Sequence, residues 1–253
     1  MPEALAAALA RDGLEWLLLG AFVAGAVRGF AGFGTAMVFL PVAAQVLPPV
    51  WALIALVVMD VFGPLPNLRR ALRDGRTVDL GWLLGGMVAA LPLGLAVLYV
   101  APAELFRYAV SLVALTVPAL IWAGFSLRGA PGRPLLLGTG VVSGVLGGVA
   151  GLPRPPVILL YMGSGDPVRI VRANTMLFLF AYTLILLAVL GLQERLATPA
   201  VMIGLLLALP NALGNVAGAA IFRPERARLY RVAGYGLIIV SALAGLPLWD
   251  GVF

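Results

Sequence analysis

The sequence predicts an all-α, polytopic membrane protein made of two inverted repeats. Each repeat is a broken, re-entrant helix hairpin followed by three transmembrane helices. Three observations carry this expectation. Of the 253 residues, 62% are hydrophobic and 11% charged, and the mean hydropathy is +1.06; a soluble domain of this size cannot bury that much apolar surface. The apolar runs are continuous rather than alternating, which fits helices and not a β-barrel. Finally, one stretch occurs twice. LLLGAFVAGAVRGFAGFGTAMVFLPVAAQ at Leu17–Gln45 is matched by LLLGTGVVSGVLGGVAGLPRPPVILLYM at Leu135–Met162. Each copy runs from an apolar segment through a glycine cluster into a second apolar segment.

Residues 1–15, MPEALAAALARDGLE, lack the basic start of a signal peptide and read as a surface helix or tail. The first repeat, 16–125, opens with the broken segment 16–46. Spans follow at about 50–66, 79–100 and 106–125. Residues 126–134 read as a cytoplasmic linker. The second repeat, 135–253, opens with the broken segment 135–162 and continues with spans at about 170–193, 198–221 and 232–249. Each broken segment exceeds the roughly 20 residues that one straight crossing needs. With glycines in the middle, each reads as two short helices meeting inside the membrane. Ala90-Leu91-Pro92 against Ala208-Leu209-Pro210, and Pro48 against Pro167, add to the repeat.

Charge fixes the expected topology. The pI is near 10.5, but the basic residues sit in short loops between apolar spans, a positive-inside pattern rather than a nucleic-acid footprint. All 17 basic residues are arginine. If each broken segment enters and leaves on one side, Arg69, Arg70, Arg73, Arg76, Arg128, Arg133, Arg169, Arg172, Arg223, Arg226, Arg228 and Arg231 all face the cytoplasm. Arg11, Arg107 and Arg195 fall outside, and Arg28 and Arg154 fall within the membrane. Each half then makes an odd number of crossings, so the second half is inverted relative to the first, a recurring transporter plan.

The chain has no cysteine and no histidine. Disulfides, thiolate nucleophiles, imidazole bases and most transition-metal sites are therefore excluded. An enzyme is the least favoured class, and no cofactor or metal is expected.

GFAGFGTAMVFLP at Gly29–Pro41, SGVLGGVAGLPRPPVILLY at Ser143–Tyr161 and DPVRIVRAN at Asp166–Asn174 resemble the sulfite exporter TauE/SafE family of bacterial membrane proteins. The likeness spans Leu17 to about Gly245. It implies a multi-pass protein of the bacterial cytoplasmic membrane that transports sulfite, sulfonates or related organic anions, often outward. One position departs: family members carry a glycine before Pro155-Pro156 where this chain has Arg154.

The candidate substrate-binding residues are Arg28, Gly29, Gly32, Gly34, Gly151, Arg154, Pro155, Asn211 and Asn215. An arginine at membrane depth costs about 2.5–3.5 kcal/mol on insertion scales and so needs a partner, a watery cavity or an anion. Guanidinium forks match oxyanions. Glycines let backbone N–H groups approach a ligand, and helix starts add a positive dipole end. The structural alternatives are an Arg28–Asp60 ion pair and an Arg154 clamp on carbonyls that the prolines leave free. Asp60 is the candidate for carrying a coupling proton, with the same ion pair as its alternative. Asn211 and Asn215 share a helix face after Pro210, for substrate or for freed carbonyls. Asn174 reads as a helix cap. Thr35, Ser143, Tyr182 and Thr183 read as lining groups or interhelical hydrogen bonds. Small-residue pairs such as Gly25/Gly29 and Gly144/Gly148 permit close packing within the monomer or in a homodimer.

The leading reading is a secondary transporter of small sulfur-containing or organic anions, embedded in the lipid bilayer and driven by an ion gradient or the membrane potential. A passive anion channel, an uptake permease for an organic acid and a non-transporting assembly partner are the competitors.

Overall fold

The computed structural model describes residues 12–123, 131–162, 164–223, 225 and 227–249. The expected tail up to residue 11 and most of the expected linker, including Arg128, lie outside the described residues, as does Arg226. All regular structure among the described residues is helical. The helices are α1 (Leu14–Ala31), α2 (Thr35–Val46), α3 (Pro49–Asp60), α4 (Leu68–Asp74), α5 (Thr77–Val100), α6 (Ala103–Trp122), α7 (Arg133–Ala150), α8 (Arg154–Met162), α9 (Val168–Leu192), α10 (Thr198–Ile221) and α11 (Ala227–Ala244). Six are long and apolar enough to cross a membrane: α1, α5, α6, α7, α9 and α10. The protein is an all-α, polytopic membrane protein.

The span expected at 50–66 is not one straight helix. α3 stops at Asp60, and α4 leaves at 48° to it. Gly63, Pro64 and Pro66 lie between them; the prolines lack N–H donors, so an unbroken ladder cannot form. Pro48 and Pro167 do occupy matching places. Each is the residue before the helix that follows a broken segment, with φ/ψ of −54/148 and −53/135.

Both broken segments double back. α1 ends on Gly32 at φ 80 and α7 on Gly151 at φ 66, a left-handed conformation that glycine adopts without strain. In the first hairpin the Val42 side chain lies beside Gly20, the Val46 side chain beside Gly13 and the Val27 side chain beside Gly34. α2 therefore returns along α1. In the second hairpin both ends lie near the start of α5. The Arg133 guanidinium, at the head of α7, is 5.9 Å from the Trp82 ring centroid, and Arg76 Nη1 is 2.7 Å from Asp166 Oδ1, just past α8. The limbs are unequal rather than uniformly short. α1 and α7 have 18 residues each, about 27 Å, whereas α2 has 12 and α8 has 9. The glycine break comes late in each segment.

The chain forms two compact units that do not follow the sequence halves. One holds Met1–Phe62, Pro102–Leu115 and Glu194–Phe253; the other holds Gly63–Ala101 and Thr116–Gln193. In the first unit α1 packs on α10. The backbone of Asn211 lies against Gly25, that of Asn215 and Gly218 against Gly29, and that of Phe22 against Gly214. In the second unit α7 packs on α5 in the same way: Met87 O faces Gly144, and Gly94 and Leu95 face Gly148. Any Cβ at these four hairpin glycines would overlap the partner backbone. Each hairpin thus lies parallel to a helix contributed by the other half of the sequence. By this packing Met87 corresponds to Asn211, which leaves Pro92 and Pro210 at different heights; the Ala-Leu-Pro match does not mark equivalent positions.

Gly148→Val drives a side chain into the backbone of Gly94 and Leu95 and is expected to destabilise by about 3 kcal/mol or more. Gly81→Ala meets open space and is expected to be neutral or to stabilise by up to about 1 kcal/mol. Thermal unfolding of the purified protein in detergent separates the two.

Candidate functional site

The first glycine turn is built by the ends of α1 and α2. Arg28 lies in the last turn of α1, four residues before the left-handed Gly32, whose N–H bonds the Arg28 carbonyl at 2.8 Å. The Arg28 Nη1 donates to Asp60 Oδ1, at the end of α3. Their side chains are 24% and 32% exposed, so the pair is neither sealed nor fully hydrated. Gly34, also left-handed at φ 104, precedes α2 without a side-chain cap. The first-turn N–H groups of α2, beginning at the buried Thr35, are therefore left for an outside acceptor. Gly29 and Gly25 face α10. The Asn211 side chain packs against Gly25 and is buried, and its Oδ1 finds no hydrogen-bond partner among the described residues. Asn215 is half-buried. Phe30 and Phe33 stack on Tyr230 and Tyr235 of α11 at 5.8 and 5.3 Å. Ser241 Oγ, on the same helix, donates to Val38 O at 2.7 Å. These contacts hold the turn in place from a third helix.

The second turn is chemically different. Gly151 N–H bonds Gly147 O at 3.1 Å and Leu152 N–H bonds Leu146 O at 3.3 Å. The buried Tyr182 hydroxyl also donates to Gly147 O, at 2.8 Å. α8 then opens directly on the half-buried Arg154, with Pro155 buried behind it. Pro155 and Pro156 carry no N–H, so this helix start offers few backbone donors; the Arg154 guanidinium is the donor group it brings instead. The two arginines do not occupy matching positions: Arg28 comes four residues before its turn glycine, and Arg154 three residues after Gly151.

Arg28 and Asp60 are brought together, as are Asn211 with Gly25 and Asn215 with Gly29. Asn174 does not cap its own helix. It is buried inside α9, where its Oδ1 accepts the Arg76 N–H at 2.8 Å and its Nδ2 donates to Tyr161 OH at 2.8 Å. It therefore closes the start of α5, whose first N–H groups need acceptors. Arg107, expected in an outer loop, reaches Gly245 O at 3.1 Å and Leu246 O at 3.3 Å, carbonyls released at the end of α11. The Tyr182 and Tyr161 bonds were not specified by the sequence, because a tyrosine in an apolar span signals some partner without saying which one.

Among known families, the one described as Sulfite exporter TauE/SafE matches residues 17–245. No curated protein and no solved structure matches the chain.

A double-mutant cycle of Arg28→Ala and Asp60→Ala, read by thermal or denaturant unfolding, is expected to give a favourable coupling of about 1–3 kcal/mol. Tyr182→Phe should destabilise by about 1 kcal/mol without affecting that coupling.

Proposed function

The chain belongs to the sulfite exporter TauE/SafE family, and on that premise we propose that it is a secondary transporter exporting small sulfur oxyanions or sulfonates across the bacterial cytoplasmic membrane. The anion binds at membrane depth at the glycine turns. In the first it meets Arg28, Gly29, Gly32 and Gly34; in the second, Gly151, Arg154 and Pro155. Asn211 and Asn215 line the approach. The two hairpins enter from opposite faces, and the site opens alternately to each side. The arginine distribution in the sequence supports that inversion.

The observation that carries the reading is Arg28. It sits one turn before a left-handed glycine, its charge is answered by Asp60, and helix N–H groups without a side-chain cap begin three residues beyond that glycine, at Thr35. Asp60 acts as a tethered surrogate anion. It neutralises Arg28 in the empty carrier, and the substrate displaces it. The displaced carboxylate is costly at that depth, so the pair re-forms once the anion leaves. The membrane potential, negative inside, expels the bare anion.

Counterflow in proteoliposomes tests this, with sulfite, sulfoacetate, sulfate, phosphate and a short carboxylate as cargo. Sulfite or a sulfonate is expected to exchange, with trans-stimulation that a passive channel lacks. Arg28→Gln should weaken apparent affinity about 10- to 100-fold. Asp60→Asn, which removes the competing carboxylate, should tighten it. Exchange unchanged in Arg28→Gln, or no exchange of any sulfur anion, contradicts the proposal.

A further inference from the structure

The second unit contains a recess that none of the glycine-turn residues lines. It has a volume of about 450 Å³ and lies between the end of α4 and the start of α9. Its polar wall is Asn67, Arg70, Asp74, Arg169 and Arg172. Its apolar lining includes Ala173 and Met176, part of a small cluster in which Ala71, Ala173 and Leu177 are buried.

The charges in the recess do not balance. Three guanidiniums face one carboxylate. Asp74 is shared between two of them, with Oδ2 3.7 Å from Arg70 Nε and Oδ1 3.8 Å from Arg169 Nε. These separations are long for a committed pair, and the Arg70 and Arg169 side chains remain 82% and 68% exposed. Arg172 has no acidic partner among the described residues. Moreover, Arg169 and Arg172 stand at the beginning of a 25-residue helix, where the helix's own positive end already disfavours cations. An anion seated there relieves both sources of positive potential at once. The apolar side of the recess gives the ligand's shape. Val168, 67% exposed at the rim, and Met176 would lie along a hydrocarbon chain. The recess also sits at the mouth of α9, an apolar span, and therefore at the edge of the bilayer.

We propose that this recess binds a phosphate oxyanion through the forks of Arg70, Arg169 and Arg172 and the Asn67 amide, and that the phosphate is the headgroup of an anionic phospholipid. Basic pockets beside spans on the cytoplasmic side attract such headgroups. A soluble carboxylate or sulfite satisfies the arginines but leaves the apolar lining uncovered. Bound lipid would brace α4 against α9, which already meet through the Ala71, Ala173 and Leu177 cluster and the shared Asp74.

The test is thermal unfolding of the full chain in neutral detergent, titrated with dioctanoyl-phosphatidylglycerol, dioctanoyl-phosphatidylcholine or sodium phosphate. Phosphatidylglycerol is expected to raise the midpoint of the wild type in proportion to its saturation, and phosphatidylcholine is not. Each arginine contributes about fivefold in affinity, so Arg169→Gln/Arg172→Gln should weaken binding about 25-fold, whereas Arg69→Gln, outside the recess, leaves it unchanged. A shift with sodium phosphate that is equally lost in the double variant assigns the same site to free phosphate. A shift with phosphatidylglycerol alone assigns it to the lipid. Equal stabilisation by both lipids, an undiminished response in the double variant, or no response to any of the three overturns the proposal.

Discussion

Hydrocarbon offers no hydrogen bonds, so a helix can break inside a membrane only where protein covers the break. The rest of this structure follows from that constraint. The turns at Gly32 and Gly151 each release carbonyls and N–H groups. Each hairpin is held against a long helix by glycines at which a side chain would collide with backbone: Gly25 and Gly29 on α10, Gly144 and Gly148 on α5. The supporting helix comes from the other half of the sequence in both cases. Neither half therefore contains a complete unit. The first hairpin, complete by Val46, packs on a helix that begins only at Thr198.

The charges are arranged differently at three places. At the first turn one arginine is answered by one carboxylate, a charge-neutral arrangement. At the second turn prolines remove backbone donors and Arg154 stands in their place. Where α5 and α9 begin, arginines are numerous and carboxylates few. There Asp74, Asp79 and Asp166 form ion pairs with Arg70, Arg76 and Arg169 without balancing the positive charge of Arg172.

Much of the fold was legible in the sequence because membranes make few demands and make them loudly. Apolar runs gave the spans expected at 79–100, 106–125, 170–193 and 198–221 within a few residues, and glycine clusters gave both breaks; the span expected at 50–66 is a bent pair and that at 232–249 a shorter apolar helix. The repeated Pro48 and Pro167 marked the same joint in each half. What escaped was relational. The bend after Asp60 comes from where two prolines fall within an otherwise apolar run. The helix supporting each hairpin is chosen by backbone fit, which the Ala-Leu-Pro likeness did not encode. In the candidate site, the Arg28–Asp60 pairing was foreseeable as one alternative, since two opposite charges stranded in apolar spans have few other partners. Asn174 was misread because its acceptor role is played for α5 rather than for its own helix, 98 residues away in sequence.

In the proposed topology two hairpins enter the membrane from opposite faces, and each returns to the face it left. The cysteine-free chain allows a direct measurement, the accessibility of single cysteines to a membrane-impermeant maleimide in intact cells and in inverted membranes. Asp12→Cys and Pro48→Cys flank the first hairpin; Gly132→Cys and Ser164→Cys flank the second. The first two are expected to label only from outside and the last two only from the cytoplasmic side. Labelling of Asp12→Cys and Pro48→Cys from opposite faces would make the first segment a simple crossing and contradict that topology.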